Sequence, residues 1–439
     1  MVGTSDNPRS DPARSFALLL HGSVCRTLRE STTPRSCHLV GGALRDAVLG
    51  VPIGDFDVVV SGQGRELAKG LARKMGSRNV ELGGDRFAAF RVPLGRTHID
   101  IWDRGDSSLE SDLERRDFTI HSFALDLHTG AISDPFAGLQ DLAQRRLRMT
   151  TARSFADDPL RVLRICRFRA QLAGFDIEPA TLIRAGNSIP DLVSVARERI
   201  RTEIELTLAQ PRAGLAARLW IRLGAVPDLV LDQPVSEDVR QQLLESLVPV
   251  WQRFEDTAAG LPATGDLVSA RLALLLEIQE RVGGPSSTTT ADALRQRGFV
   301  TKTTATRTSR LLGAGSLPTE MPAQRWFLHT TADQWPSAVS LGYALADPST
   351  TPETAAATAD AIVGLATNEA AKIFDPPRLV SATDLQRSLG IEPGPRLGNL
   401  LAVLYRRQIE GSLGTRQEAL AIAKNTLAEA DMADRATGG

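Results

Sequence analysis

Residues 38–62 read HLVGGALRDAVLGVPIGDFDVVVSG, and this stretch restricts the fold more than any other. An apolar strand runs into Gly41 and Gly42, the helical segment ALRDAVLG closes at Gly50, and the β-branched DFDVVV follows. Strand, glycine turn, short helix and strand in immediate succession make an α/β unit, with a helix that must pack back on the strands it joins. On the second strand Asp55 and Asp57 lie two apart, so they face the same way at roughly 7 Å along the chain. Two carboxylates on one face repel unless a cation sits between them.

The pattern continues as an α/β domain. FALLLHGSVCRTLRES has helical spacing ahead of the first strand, and GRELAKGLARKMG reads as an amphipathic helix ending at Gly76. RNVELGG, RFAAFRVPLG and THIDIW read as short strands separated by glycine turns. From DPLRVLRICRFRAQLAGF onward apolar residues recur three and four apart, the helical period, broken by SSTTTA at 286–291 and DPSTTPETAAA at 347–357. We therefore expect an α+β protein: an N-terminal head with a small mixed sheet, then an all-α remainder. The segments expected are a partly disordered lead-in and first helix (1–30), a head (31–150), a helical neck (151–215), a body (216–370) and a tail (371–439).

Three groups of residues can carry chemistry. In the first, Asp100 of HIDIWD lies on a later strand with the period that can bring it beside Asp55 and Asp57. Gly41 and Gly42 lack the Cβ that would keep a phosphate from the backbone N–H groups, and the helix N-terminus behind them adds positive dipole. Arg45 can donate to phosphate oxygens as a fork. Two magnesium ions held by such carboxylates are a familiar clamp for phosphoryl transfer, and magnesium needs few protein ligands because it keeps its waters. A solvated strand end and a tight turn with an exposed arginine account for the same residues. In the second, Arg115, Arg116 and Asp117 of RRDFTIHSFALDL suit phosphate and ribose hydroxyl, or form a surface salt-bridge cluster. In the third, Asp158 and Arg161 stand three apart on one helix face. The carboxylate could accept from an exocyclic amino group and the guanidinium donate to ring acceptors, which selects cytosine and adenine over uracil and guanine. Alternatively, Asp157 or Asp158 simply caps the helix that Pro159 opens.

LVGGALRD, DFD, RRDFTIHSFA, DPFAGLQDL, DDPLRVLRICRF and ERIRTEIELTL, in that order, resemble the signature motifs of class II tRNA nucleotidyltransferases and the related bacterial poly(A) polymerases. The segment ATDLQRSLGIEPGPRLGNLLAVLYRRQIEGSLGTRQEAL also resembles the tail of the CCA-adding enzymes. The resemblance implies a nucleotidyltransferase-type head and template-free addition of C and A from CTP and ATP to the tRNA 3′ end, with Mg2+ and release of pyrophosphate. It implies that Asp55, Asp57 and Asp100 hold the metals and that Gly41, Gly42, Arg45 and Asp46 form the triphosphate site. Arg115, Arg116, Asp117 and His121 would line the nucleotide pocket, Asp158 and Arg161 would read the base, and Arg164, Arg167, Glu198 and Arg199 would support them. Arg396, Arg406, Arg407 and Arg416 would lie along the RNA path, or on a solvated helix face.

The sequence departs from the family pattern at His121, where asparagine is usual, and at Ala137, where glycine is usual. Asp157 stands where glutamate is common. The connector DRGDSSLESDLE (103–114) is short, whereas many CCA-adding relatives carry a longer flexible loop there, and this admits a CC-adding, A-adding or poly(A) product. A catalytically silent RNA-binding protein is the rival from another class. A second, metal-phosphohydrolase activity is not expected, because RLALLLEIQERVGG lacks a His-Asp pair. With a net charge of −1, nucleic acid would have to be met by a local basic patch, since global charge supplies no attraction. Cys25, Cys37 and Cys166 lack zinc-site or disulfide spacing, and no apolar run suits a membrane span, so a cytoplasmic protein, monomer or homodimer, is expected.

Overall fold

The computed structural model describes residues 11–33, 36–82, 89–225, 236–262, 266–284 and 286–437. Of the lead-in and first helix expected over residues 1–30, residues 1–10 lie outside them. The chain forms two compact units, Met1–Ala196 and Arg197–Gly439, a division that falls inside the expected neck.

The first unit is the α/β head with the helices that follow it. Helix α1 (Pro12–His21) is capped by the Asp11 carboxylate, and α2 (Ser23–Glu30) follows after Gly22. The sequence reads these as one helix; extended backbone at Gly22 (φ −61°, ψ 150°) breaks it. Strand β1 (Cys37–Val40), α3 (Gly42–Leu49) and β2 (Phe56–Val60) follow as the glycine pattern dictates, with Gly50 left-handed at the α3 C-terminus (φ 67°). Helix α4 (Gly64–Lys74) and the strands β3 (Val80–Leu82), β4 (Ala89–Leu94) and β5 (Thr97–Asp103) come next. Then come α5 (Leu109–Glu114), a 3-10 turn (Thr119–His121), β6 (Ala124–Asp126), β7 (Ile132–Ser133) and α6 (Gly138–Ala143).

Seven strands form one mixed sheet in the order β3-β4-β5-β2-β1-β6-β7. Every neighbouring pair is antiparallel except β2 with β5, whose parallel register sets Asp57 opposite Asp100. Parallel strands need a crossover, and α4 with β3 and β4 supplies it. Leu39, Val40, Val58, Val59, Ile99 and Ile101 are fully buried in the middle of the sheet. The polar ends of β2 and β5 therefore stand on a rigid apolar base.

Beyond the sheet, α7 (Ser154–Asp157) leads into α8 (Arg161–Gln171). Pro159 precedes the helix instead of opening it. The Asp158 carboxylate accepts from the Leu160 N–H at 3.3 Å, a capping contact.

The second unit is built of helices. SSTTTA, expected to interrupt them, instead enters the helix Ser287–Gln296. Its Ser287 N–H and hydroxyl donate to Glu280 and Glu277 at 2.6 and 2.9 Å, so tertiary contacts override the low helix propensity of the serines and threonines. In DPSTTPETAAA the break ends at Thr351, which caps the helix Pro352–Asn368. The last three helices share an apolar cluster of Val380, Leu385, Leu397, Leu400, Leu404, Leu413, Ala419 and Ala423. Among the described residues no helix is long and apolar enough to cross a membrane.

Neighbouring residues at the start of α6 give opposite mutational expectations. Ala137 holds a left-handed conformation (φ 57°, ψ 38°) that costs a residue with a Cβ about 1 kcal/mol. A Cβ on Gly138 would meet the Thr119 carbonyl oxygen at 2.1 Å. In urea denaturation we expect Ala137→Gly to stabilise by about 0.5–1 kcal/mol and Gly138→Ala to destabilise by about 1–3 kcal/mol. The same sign at both positions would contradict this backbone.

Candidate active site

Asp57 and Asp100 stand side by side at the polar ends of β2 and β5. Asp55, just ahead of β2, is joined to them through His98, whose Nδ1 lies 2.6 Å from Asp55 and whose Nε2 lies 3.4 Å from Asp100. The His98 backbone N–H also donates to Asp55 at 3.1 Å. Arg91 on β4 grips Asp100 with two hydrogen bonds of 2.7 Å each. Asp57 lies beside Arg116: a Cβ on Gly41 would sit 2.9 Å from the Asp57 carboxylate and 3.1 Å from the Arg116 guanidinium. Gly41 is also left-handed (φ 72°), so glycine is required there twice over. Its missing side chain admits Asp57 and Arg116 to the turn.

Burial pushes the Asp57 carboxyl up from its ordinary range, Arg116 draws it down, and Asp100 pushes it up again. Trp102 and His98 pull it down more weakly. A carboxylate held at a cost in this way is one that a cation steadies. The donors are hard oxygens, which suit magnesium. Among the described residues no three acidic, histidine or cysteine side chains close on one point as a ready-made metal cage. The set therefore fits ions held by few carboxylates and completed by water or substrate oxygens. Asp55 and Asp57 are the freer donors, because both oxygens of Asp100 are taken by Arg91.

The second motif divides between surface and core. Arg115 and Arg116 both donate to Asp112 of α5, at 3.0 and 3.2 Å, which turns the short connector into a brace for these arginines. Asp117 is buried: it takes the Phe118 N–H at 2.9 Å, His121 Nδ1 at 2.8 Å, and Arg164 at 2.9 and 2.7 Å. His121 Nε2 meets Arg45 at 2.8 Å, and Arg45 also pairs with Asp46 at 2.7 Å. Thus Arg45, expected to reach phosphate, is buried and committed to its neighbours, and Asp46, Asp117 and His121 are partners in the same network. Phe168 packs against it, with the guanidinium groups of Arg45, Arg164 and Arg167 at 5.5, 5.6 and 4.3 Å from its ring centre.

Arg161 also differs from expectation. Its guanidinium donates to the Ser154 carbonyl and hydroxyl at 3.0 and 2.8 Å, and to the backbone carbonyls of Arg116 and Arg115. It supports the segment that carries Arg116. Gly42 opens α3, and a Cβ there would lie 3.7 Å from the Arg45 guanidinium, an ordinary contact distance. Glu198, Arg199, Arg396, Arg406, Arg407 and Arg416 belong to the second unit. There Arg406 pairs with Glu410 at 2.7 Å and lies over Trp326, while Arg416 pairs with Asp384 at 2.6 Å.

The sequence reading missed Arg91, His98, Asp112 and Asp141. Two of these were within reach. A two-residue loop, Gly95-Arg96, sets Leu94 opposite Thr97, and counting back along that hairpin pairs Arg91 with Asp100. His98 precedes Asp100 by two and so shares its face. Asp141 is fully buried and takes Thr119, Arg146 and Arg148 at 2.6, 2.6 and 2.8 Å, anchoring the 3-10 turn that presents His121.

Residues 37–148, which hold the carboxylates, the glycine turn and the RRD segment, match the poly A polymerase head domain. The head of the chain is thus similar to those of the class II tRNA nucleotidyltransferases and poly(A) polymerases. A CC-adding tRNA nucleotidyltransferase of Synechocystis is 29% identical over 408 residues, covering 89% of this chain and 93% of the relative. A multifunctional CCA protein of Xylella fastidiosa is 42% identical over 193 residues, which span 40% of this chain and 46% of the relative, so the chain matches about half the length of that protein. Among solved structures, the Bacillus stearothermophilus CCA-adding enzyme in complex with CTP superposes with a TM-score of 0.71 at 21% identity, over 96% of this chain and 99% of that one. The Thermotoga maritima CCA-adding enzyme complexed with tRNA superposes at 0.64, also at 21% identity, over 96% and 97%. At that identity these two structures establish a shared fold.

The buried network predicts a pH dependence. Burial holds the His121 imidazole down at about 4, with Asp117 opposing and Arg45 and Arg164 reinforcing the fall. Burial alone would raise the Asp117 carboxyl, but Arg164 and His121 hold it well below the carboxylate range. An unfolded imidazole titrates at about 6.5, so between there and about 4 the unfolded chain binds the extra proton. Stability is therefore lost as pH falls through that window, by about 3 kcal/mol at most from this group. His121→Asn should lack that part of the loss in urea denaturation at stepped pH; parallel curves for the two proteins would refute it.

Proposed function

We propose that the protein is a tRNA nucleotidyltransferase that adds C and A residues from CTP and ATP to the tRNA 3′ end without a nucleic-acid template. The observation that carries this reading is the pairing of Asp57 with Asp100 beside Arg116 at the Gly41 turn. A silent RNA-binding protein would have no use for carboxylates that repel one another. When bound, divalent cations, magnesium by the hardness of the donors, would supply the Lewis acidity that activates the terminal ribose hydroxyl and the charge that offsets departing pyrophosphate.

The chain's own residues do the rest. Asp55 and Asp57 hold the ions, and Asp100, fixed by Arg91, keeps the local field negative. Arg116 and the backbone at Gly41 and Gly42 receive phosphate oxygens, with Arg115 at the edge of the same segment. Asp158 with Arg161 reads the base after Arg161 exchanges its carbonyl partners for ring acceptors. Arg396, Arg406, Arg407 and Arg416 provide cationic contacts to the RNA backbone in the tail. The neck, body and tail divide as the sequence pattern sets out, and the work is done in the cytoplasm, where tRNA and nucleotides meet.

A second reading, addition of CC alone, is favoured by the short connector. Its second half is folded into α5 and tied to Arg115 and Arg116 by Asp112, and a relative matched over nearly its full length is a CC-adding enzyme.

One assay separates these. tRNA lacking its 3′ end, ending in C, or ending in CC is supplied with labelled CTP or ATP, and the products are sized on a gel. Addition of C and then A supports the first reading, and addition that stops at CC supports the second; no incorporation defeats both. Asp57→Asn should reduce incorporation on the order of a hundredfold to a thousandfold while tRNA binding is retained. Replacing Arg406 and Arg407 with alanine should weaken tRNA binding and flatten its salt dependence.

A further inference from the structure

His121 stands where the family pattern has asparagine, and its surroundings assign the ring a specific task. It is 6% exposed, and both nitrogens are engaged by side chains from outside its own turn or at the start of it. A guanidinium can only donate. Nε2 therefore presents its lone pair to Arg45, and Nδ1 carries the proton that it donates to Asp117. Asp117 accepts Arg164 on its other oxygen. Arg164 follows Arg161 by three residues on α8, and Phe168, a turn further on, lies 4.7 Å centre to centre from the imidazole. An unbroken series of side-chain contacts thus runs from α3, behind the glycine turn, through His121 to α8.

We propose that His121 is a positioning residue for nucleotide selection: its imidazole ties the helix behind the phosphate turn to the helix that opens with Asp158 and Arg161. The two ends of a nucleotide are received by these two elements, so the tie sets the distance and angle at which a base arrives for reading. His121 itself touches no nucleotide. This inference rests on the nucleotidyltransferase reading above and adds a determinant of its selectivity.

A core filler and a relay differ in what can replace them. A filler tolerates any ring of similar size, whereas a relay needs one acceptor and one donor. His121→Phe keeps the ring and removes both functions; His121→Asn keeps one of each on a shorter stem. We expect His121→Phe to lower the ratio of kcat/KM for CTP over UTP by about tenfold or more, chiefly through KM for CTP, because unpaired buried polar groups no longer hold the reading helix in register. Mn2+ affinity read by electron paramagnetic resonance should be unchanged, since the carboxylates lie on β2 and β5. His121→Asn should recover part of the ratio. Arg45→Met acts on the same relay, so the double variant Arg45→Met with His121→Phe should be no worse than the poorer single variant.

An unchanged CTP to UTP ratio in His121→Phe, or independent multiplication of the two losses, would overturn the proposal. Should His121→Phe be insoluble, Arg45→Met, which removes the donor to Nε2, replaces it, and an unchanged CTP to UTP ratio in that variant overturns the proposal. Independently of activity, 15N spectra of the wild-type histidines should show one ring as the Nδ1–H tautomer that does not titrate between pH 8 and 5. An Nε2–H form at that site would overturn the relay. A wild type that incorporates no nucleotide removes the underlying reading and this proposal with it; incorporation with unchanged selectivity removes this proposal alone.

Discussion

The parallel pairing of β2 with β5 is the constraint on which the rest of the head depends. It sets Asp57 beside Asp100 at the spacing of adjacent strands, about 4.8 Å. Two carboxylates that close, partly shielded from water, repel by about 3 kcal/mol at an effective dielectric of 20. The sheet tolerates this because Arg91, His98 and Arg116 approach from β4, β5 and the end of α5. The apolar run Val58–Val60 and the residues Ile99 and Ile101 anchor the strands so that repulsion cannot splay them. A rigid base holding charges at a cost is the arrangement a cation-dependent phosphoryl site needs, since preorganised groups need not move when the charge of the reaction develops.

A second layer governs how the site is held to the helices. Asp141 secures Thr119, the 3-10 turn carries His121, and His121 with Asp117 joins Arg45 to Arg164. All of these groups but the half-buried Arg164 are buried, and each is partnered, which is the condition under which polar networks specify a unique geometry instead of destabilising it. Arg161 adds a further tie by holding the carbonyls of Arg115 and Arg116. Residues expected to touch nucleotide thus include several whose polar groups are held by other side chains of the head.

Much of this was legible in the sequence because it is local. Gly41 and Gly50 bound α3, period-two alternation gave β5, and the motif order gave the head. What escaped depends on register or on burial. Arg91 meets Asp100 across a hairpin, and the alternation of either strand read alone does not show that pairing, although the Gly95-Arg96 loop encodes it. Arg45 reads as an exposed phosphate ligand because nothing in its own segment shows that His121, far along the chain, will cover it. SSTTTA reads as a break because serine and threonine favour non-helical backbone, and only Glu277 and Glu280 on the preceding helix reverse that preference.

The same distinction explains why His121 can replace asparagine without emptying the site. Both side chains offer one donor and one acceptor about 2 Å apart, so either can sit between a guanidinium and a carboxylate. The ring reaches further from the backbone, however, and it adds an aromatic face that meets Phe168, itself ringed by Arg45, Arg164 and Arg167. Three cations around one phenyl ring are stable only if their charge is answered nearby, and Asp46 and Asp117 answer two of them. The imidazole must remain neutral for this balance to hold, because a second ring proton would point at Arg45. The selectivity proposed for His121 and the acid stability of this head therefore depend on one and the same proton position.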